Sequence, residues 1–224
     1  SGVGKTQFCR ILSGLKKPNT GQVSIRAASG KMIDIEPGLI GFVGQDYPLF
    51  TWRTVIGNLL VAQEALKISK TEKLEKAWKM LEEFGLADKT KAYPSQLSGG
   101  QRQRVAIIRE LLSSENFVIL DEPFTGLDVL KLDKACEMII KISNLHESNT
   151  VFVVAHDIES IARISDELWL FGREKDEAGG FIPGASIKKI YDTKSLGIAW
   201  TPGIEKTSKF ADLCAAIKED FKGL

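Results

Sequence analysis

This chain carries almost no net charge: 30 Lys+Arg stand against 29 Asp+Glu, a formal balance of +1. Without a basic excess there is no electrostatic footprint for a phosphate backbone, so nucleic acid is disfavoured as the main partner. Cysteine is scarce as well. Cys9, Cys136 and Cys214 are isolated, odd in number and without metal-ligand spacing. They read as reduced thiols packing the interior of a cytosolic protein, not as a disulfide framework or a zinc site. Long hydrophobic runs are missing too. The longest, such as 151–155, are strand-sized, far short of the ~20 apolar residues of a membrane-crossing helix. Action on a membrane process would pass through a partner or through a segment outside this sequence. Internal repeats and low-complexity stretches are also lacking. What is present is 224 residues, 43% of them apolar, enough for one large α/β domain with a sizeable core.

The pattern of the chain alternates strands and helices. A helix is expected over 5–12, stopping at Gly14, with a turn at Pro18-Asn19-Thr20-Gly21. Short strands are expected at 22–26 and 32–35, and a third apolar stretch at 38–44 ends at Gln45. Helices follow at 54–66 and 71–84. Ser69-Lys70-Thr71-Glu72 has capping-box spacing, and Leu74, Trp78 and Leu81 form a stripe read as core. Beyond these come a helix at 99–112, a buried strand at 116–120, and a helix at 130–146. Another buried strand is expected at 150–155, a helix at 158–164, and a last core strand at 166–171. All-apolar strands alternating with helices argue for a parallel sheet covered on both faces. The stretch 172–185 is polar and Gly-rich, a loop or hairpin tip. The remainder is weakly patterned and closes on a helical pattern over 205–221.

The chemistry lies at the punctuation between these elements. Ser1-Gly2-Val3-Gly4-Lys5-Thr6 matches the end of the phosphate-binding pattern GxxxxGK[ST], whose first Gly would precede Ser1; the chain is expected to begin inside that motif. Gly2 and Gly4 let backbone N–H groups point inward as an anion nest, and the helix starting at Lys5 adds its positive end. Lys5 would reach the β and γ phosphates and the Thr6 hydroxyl would ligate Mg²⁺. At 117–120 an apolar run leads into Asp121-Glu122 and Pro123, placing two carboxylates at the carboxyl end of a buried strand, where open α/β sheets bind ligands. Asp121 would hold the metal and Glu122 would act as general base on the attacking water. Gln45, also after a strand, could touch metal and water. His156 follows 151–155 at the same sheet edge, where a γ-phosphate contact is open to it; His146 reads as a surface residue. Leu97-Ser98-Gly99-Gly100-Gln101 offers a hydroxyl, bare N–H groups and a helix N-terminus. An N-cap with two permissive glycines would look the same. A domain already holding ATP at Lys5 has no need of a second phosphate site of its own, so this one is read as binding the ATP of another subunit.

In this order the motifs resemble the ATP-binding subunit of an ABC transporter over nearly the whole chain. The matching residues are Walker A (Ser1 to Thr6), Q-loop (Gln45), signature (Leu97 to Gln101), Walker B (Phe117 to Glu122), D-loop (Gly126-Leu127-Asp128) and switch histidine (His156). The resemblance implies an α/β P-loop NTPase fold, a mostly parallel sheet with helices on both faces and a helical subdomain carrying the signature. The expected partition of 1–224 is a catalytic core at 1–50 and 115–172, a helical subdomain at 51–114 and a tail at 173–224. It further implies ATP and Mg²⁺, with catalytic Glu122, His156 and Gln45, and Mg²⁺ ligands Thr6, Gln45 and Asp121. Nucleotide contacts would come from Ser1, Gly2, Val3, Gly4, Lys5 and Thr6, and across a head-to-tail pair from Ser98, Gly99, Gly100 and Gln101. The P-loop strand of this family runs between the strands that here would be 151–155 and 168–171, so those two are expected not to bond directly. The stretch QDYPLFTWRTV at 45–55 is similar to that of nitrate, sulfonate and taurine importers, with Thr51 in place of the usual proline. Tyr93-Pro94-Ser95-Gln96 fits the same group. Phe50 and Trp52 either meet a permease coupling helix or pack internally. The implied protein is the ATPase of an importer, a homodimer or paired subunit on transmembrane permease subunits at the cytoplasmic face of the cell membrane, with a solute-binding protein in the complex. The rival readings are an exporter ATPase or a soluble ABC protein of DNA repair or translation.

Overall fold

A computed structural model describes residues 4–26, 30–114, 116–174, 176, 180–182 and 184–222, apart from the side chains of Val129 and Leu130. It divides into two compact units. The first comprises Ser1–Phe8, Glu122–Asn144 and Val153–Leu224; the second comprises Cys9–Asp121 and Leu145–Phe152. Helix α1 (Lys5–Leu12) and strand β5 (Thr150–Val154) each begin in one and end in the other.

In the second unit, β1 (Ser24–Arg26) and β2 (Met32–Asp34) form an antiparallel pair with Ile25 opposite Ile33. Strand β3 (Gly41–Val43) lies parallel to β4 (Phe117–Asp121), with Phe42 opposite Ile119. The sheet order is β3-β4-β5. Thr150 N donates to Asn116 O at 2.7 Å and Glu122 N to Val154 O at 2.7 Å, so β5 runs parallel to β4 as well. Val118, Ile119 and Leu120 are each at most 1% exposed, the signature of a strand covered on both sides.

The helices of this unit are α2 (Val55–Ala62), α3 (Lys70–Glu83) and α4 (Gly99–Ser113). Helix α2 stops short of the expected 54–66 because Gln63, Glu64 and Leu66 continue in tight turns, bonding three residues back to Leu60, Val61 and Gln63. Helix α3 opens on the expected capping box: Ser69 Oγ accepts from Glu72 N at 3.2 Å and Glu72 Oε2 accepts from Ser69 N at 2.8 Å. Its expected stripe needs one correction. Ala77 and Leu81 are fully buried, whereas Trp78 is 43% exposed, since the buried line follows the i, i+4 row through 77 and 81 and leaves 78 at its edge. Helix α4 buries Val105, Ala106, Ile107, Ile108 and Leu112, each of the larger ones contributing about 1.5–3 kcal/mol. It lies directly on β3: a Cβ added to Gly41 would sit 2.9 Å from Glu110 Cβ and 3.0 Å from Ser114 Oγ.

In the first unit, α5 (Val129–Asn144) and α6 (Ile158–Ile164) are as expected. Strand β6 (Glu167–Gly172) is not a further parallel strand; it pairs antiparallel with β7 (Ser186–Asp192). Among the described residues β5 and β6 belong to different sheets. Strand β7 lies in the stretch read as weakly patterned. Its sequence SIKKIYD is exposed at most positions, so no clean alternation marks it. The end of the chain forms a short 3₁₀ turn (Ile204–Lys206) and α7 (Ser208–Lys222). Ile198, Phe210, Leu213, Cys214 and Ile217 pack there with Ala162 of α6 and Leu168 of β6. The tail therefore shares a core with α6 and β6, anchored by the buried Thr193 hydroxyl, shared between the Ser165 and Asp166 carbonyls.

Gly41→Ala tests the α4–β3 contact. Its backbone is in no glycine-only region, so the cost is steric, about 1–3 kcal/mol, read as a lowered urea midpoint with unchanged m-value; an unchanged midpoint would refute the close approach.

Candidate functional site

Strand β4 delivers two carboxylates in succession. Asp121 closes the strand at 4% exposure, and Glu122 leaves it with φ +55°, a left-handed conformation costly for a residue with a Cβ. Glu122 belongs to the first unit, as do Lys5 and His156, and the structure brings these three together. His156 Nδ1 lies 2.7 Å from Glu122 Oε2, and Lys5 Nζ lies 4.0 Å from Glu122 Oε1. Thr125 adds a longer hydroxyl contact to Oε2 at 3.5 Å. The Glu122 side chain is only 12% exposed, against 70% for His156. Against an ionised carboxylate, which accepts and cannot donate, His156 Nδ1 is the donor of that bond.

Each member is held by local chemistry. Gly4 has φ +99°, a region open to glycine, and its carbonyl accepts Phe8 N at 2.9 Å as α1 begins. Lys5 and Thr6 occupy the first turn and are half-buried. The expected contacts Ser1, Gly2 and Val3 lie outside the described residues. Phe8 packs on Phe171 of β6 at 5.0 Å between ring centroids. After His156, Asp157 caps α6: its carboxylate accepts Ser160 Oγ at 2.6 Å and Ser160 N at 3.4 Å. From α6, Arg163 donates to Asp133 at 2.6 Å and lies 3.3 Å from Cys136 Sγ, both on α5. Burial works against the Arg163 charge, but the hydrogen bonds to Asp133 and Cys136 outweigh it and raise its pKa above the ordinary value.

An open cleft of ≈ 450 Å³ adjoins Glu122, Thr125, His156 and Asp157, with Phe124 and Leu127 as apolar wall. Gly126, with φ +74°, turns the chain toward Asp128. Asp128 Oδ1 accepts Lys131 N at 3.0 Å. The Lys131 side chain donates to the same carboxyl and holds its pKa below the usual carboxylate range.

Gln45, Asp121 and the residues 97–101 belong to the second unit. Gln45 is exposed, in a turn closed by Tyr47 N donating to Gly44 O at 3.2 Å. Ser98 caps α4, accepting Gln101 N at 3.3 Å, while Gln101 Oε1 accepts Ser98 N at 2.9 Å. So Ser98 and Gln101 serve the helix end itself. Gly99 and Gly100 do not serve the packing: a Cβ at either would meet nothing within 4 Å. Both glycines are exposed at the helix start.

Sequence reasoning placed Lys5, Glu122 and His156 but missed Thr125 and Asp157. Asp157 could have been found from Asp-x-x-Ser at the start of an apolar helix pattern. Thr125 carries no comparable signal, because its contact depends on the turn after Pro123.

Residues 1–125 match the family model described as ABC transporter. The chain is 39% identical over 168 residues to an uncharacterized ABC transporter ATP-binding protein of Methanocaldococcus jannaschii, covering 75% of this chain and 61% of that protein. It is 34% identical over 173 residues to an aliphatic sulfonates import ATP-binding protein of Xanthomonas axonopodis pv. citri, covering 77% and 67%. A methionine import ATP-binding protein of Corynebacterium glutamicum is 30% identical over 205 residues, covering 89% and 55%. The chain thus spans little more than half to two thirds of the length of these relatives. Among solved structures, cbiO1 from Clostridium perfringens, part of the ABC transporter complex cbiONQ, superposes with TM-score 0.69 at 23% identity, covering 88% of this chain and 76% of that one. That likeness confirms an α/β fold with a parallel sheet and packed helices.

Asp157→Ala removes the cap that follows His156. It should cost about 1 kcal/mol, measured by chemical denaturation; a variant as stable as the parent would show that the cap carries no load.

Proposed function

The chain belongs to the ABC transporter family, and on that premise we propose that it is the ATP-hydrolysing, energy-coupling subunit of an ABC importer. The observation that carries this reading is the Glu122 carboxylate, at the end of a buried strand, between the Lys5 ammonium and the His156 ring. Lys5 neutralises phosphate charge and Gly4 gives the backbone close access to it. The carboxylate of buried Asp121 and the neutral oxygens of Thr6 and Gln45 are of the hard-oxygen kind that would hold Mg²⁺. When bound, the ion neutralises charge on the transferring phosphoryl group. Glu122 takes the proton of the attacking water, and His156 fixes the orientation of that carboxylate. Arrival of a polyphosphate competes with Glu122 for Lys5, so the resting ion pair gives way as the anion enters.

The bare Gly99 and Gly100 complete the site from a second subunit. Ser98 through Gln101 of one copy close over the triphosphate held at Lys5 of the other, and hydrolysis reopens the pair. Residues 1–50 and 115–172 act as the catalytic core, 51–114 as the helical subdomain and 173–224 as the tail. Among the described residues no helix is long and apolar enough to cross a membrane. The subunit attaches to transmembrane permease subunits at the cytoplasmic face, with a solute-binding protein supplying the cargo. The likeness of the 45–55 loop to that of nitrate, sulfonate and taurine importers supports a place in that group. Trp52, 71% exposed and 5.3 Å from the Phe50 ring, supports a permease contact at that loop.

In the full-length protein, Glu122→Gln should trap an ATP-bound pair and lower turnover ~10²–10⁴-fold; undiminished hydrolysis would reject Glu122 as base. Ser98→Arg should abolish hydrolysis while equilibrium ATP binding to isolated subunits is retained. Loss of that binding would place residues 98–101 at the subunit's own nucleotide instead.

A further inference from the structure

Arg109 has no part in the chemistry above, yet its guanidinium engages a carboxylate, a backbone carbonyl and an aromatic ring. It projects from the C-terminal half of α4 with only 18% of its side chain exposed. Nε donates to Glu110 Oε1 at 3.1 Å and Nη2 to the same oxygen at 2.7 Å. Nη1 donates to the Pro48 carbonyl. The guanidinium carbon also lies 6.0 Å from the Phe50 ring centroid, within cation–π range. One planar group thus grips the loop after Gln45 by a carbonyl and by a ring face, while Glu110 fixes the plane.

The loop is held from the other side as well. Asn58, fully buried on α2, accepts Phe50 N at 2.8 Å through Oδ1. Its Nδ2 faces the carbonyls of Phe50, Arg53 and Thr54 at 3.1, 3.2 and 3.0 Å. Upstream of Gln45, β3 lies against the same turn of α4, since Gly41 admits Glu110 and Ser114 where a Cβ would clash. Gln45 is therefore bracketed: β3 before it and Pro48-Phe50 after it both rest on α4 around residue 110. The N-terminus of that helix is Ser98-Gly99-Gly100, ten residues away, about 15 Å at the helical rise.

We propose that Arg109 is a positioning residue that locks the Gln45 loop to the signature helix, so that the metal-side contact and the partner-facing helix start move as one body. This rests on the function proposed above. It requires arginine: lysine has neither the planar fork for Glu110 and Pro48 together nor the flat face for Phe50.

The test uses the full-length protein with Mg²⁺-dependent ATP turnover, in Arg109→Lys, Gln45→Ala and the double variant. Arg109→Lys should lower kcat about 10–100-fold, as loss of an outer-layer partner typically does, and raise the Mg²⁺ concentration giving half-maximal turnover. The double variant should be no worse than Gln45→Ala alone, since one interaction is lost twice. Amide exchange over 45–50 should quicken in Arg109→Lys whatever the activity. Multiplying losses in the double variant, unchanged Mg²⁺ dependence, or unchanged exchange over 45–50 would each overturn the proposal. If Gln45→Ala alone is fully active, the reading of Gln45 fails instead, while the exchange data still report on the clamp. Should Arg109→Lys fail to fold, Phe50→Leu keeps the apolar bulk, removes the ring face, and must shift the same readouts in the same direction.

Discussion

A carboxylate that is 12% exposed at the end of a buried strand is the constraint around which the first unit is arranged. A carboxylate placed there needs partners to offset its lost hydration. Lys5 and His156 Nδ1 face it from separate segments, with Thr125 behind. Those partners are fixed in turn. Lys5 rides on a helix that starts at a glycine in a conformation forbidding to other residues, and His156 precedes a helix capped by its neighbour Asp157. The left-handed Glu122 backbone is tolerated because its N–H is paired with Val154 O at 2.7 Å.

The tail extends the same logic. Helix α6 follows His156 directly, and its inner face is part of the tail's core through Ala162, Ile158 and Ile161. Trp200 N donates to Arg163 O at 2.9 Å and Lys218 pairs with Glu159 at 2.7 Å. The exposed ion pair adds little stability, whereas the apolar contacts are the kind that fix a helix in place. Residues 193–222 thus serve as a buttress for the segment carrying the histidine.

Most of the helices and the strands 116–120 and 150–155 were legible because their periodicity and caps are local. So were Lys5, Glu122 and His156, each at a strand or glycine boundary that the pattern marks. The rest depended on facts that the sequence does not spell out. Strand β7 alternates poorly because both its faces meet water at most positions, so its pairing with β6 needed the register itself. Trp78 carries the spacing of a core residue and sits at the rim, since bulk and periodicity do not fix where a helix turns its edge. Arg109 reads as one more charge in a basic stretch until Pro48 and Phe50 come beside it.

The central claim is that two copies complete each ATP site, the bare start of α4 in one closing on the phosphates held by the other. It is tested most directly by measuring ATP turnover per subunit of the full-length protein across a wide range of subunit concentration. The account expects turnover per subunit to climb steeply with concentration and level off once pairs dominate. Constant turnover per subunit down to concentrations at which the protein sediments solely as a monomer would contradict it.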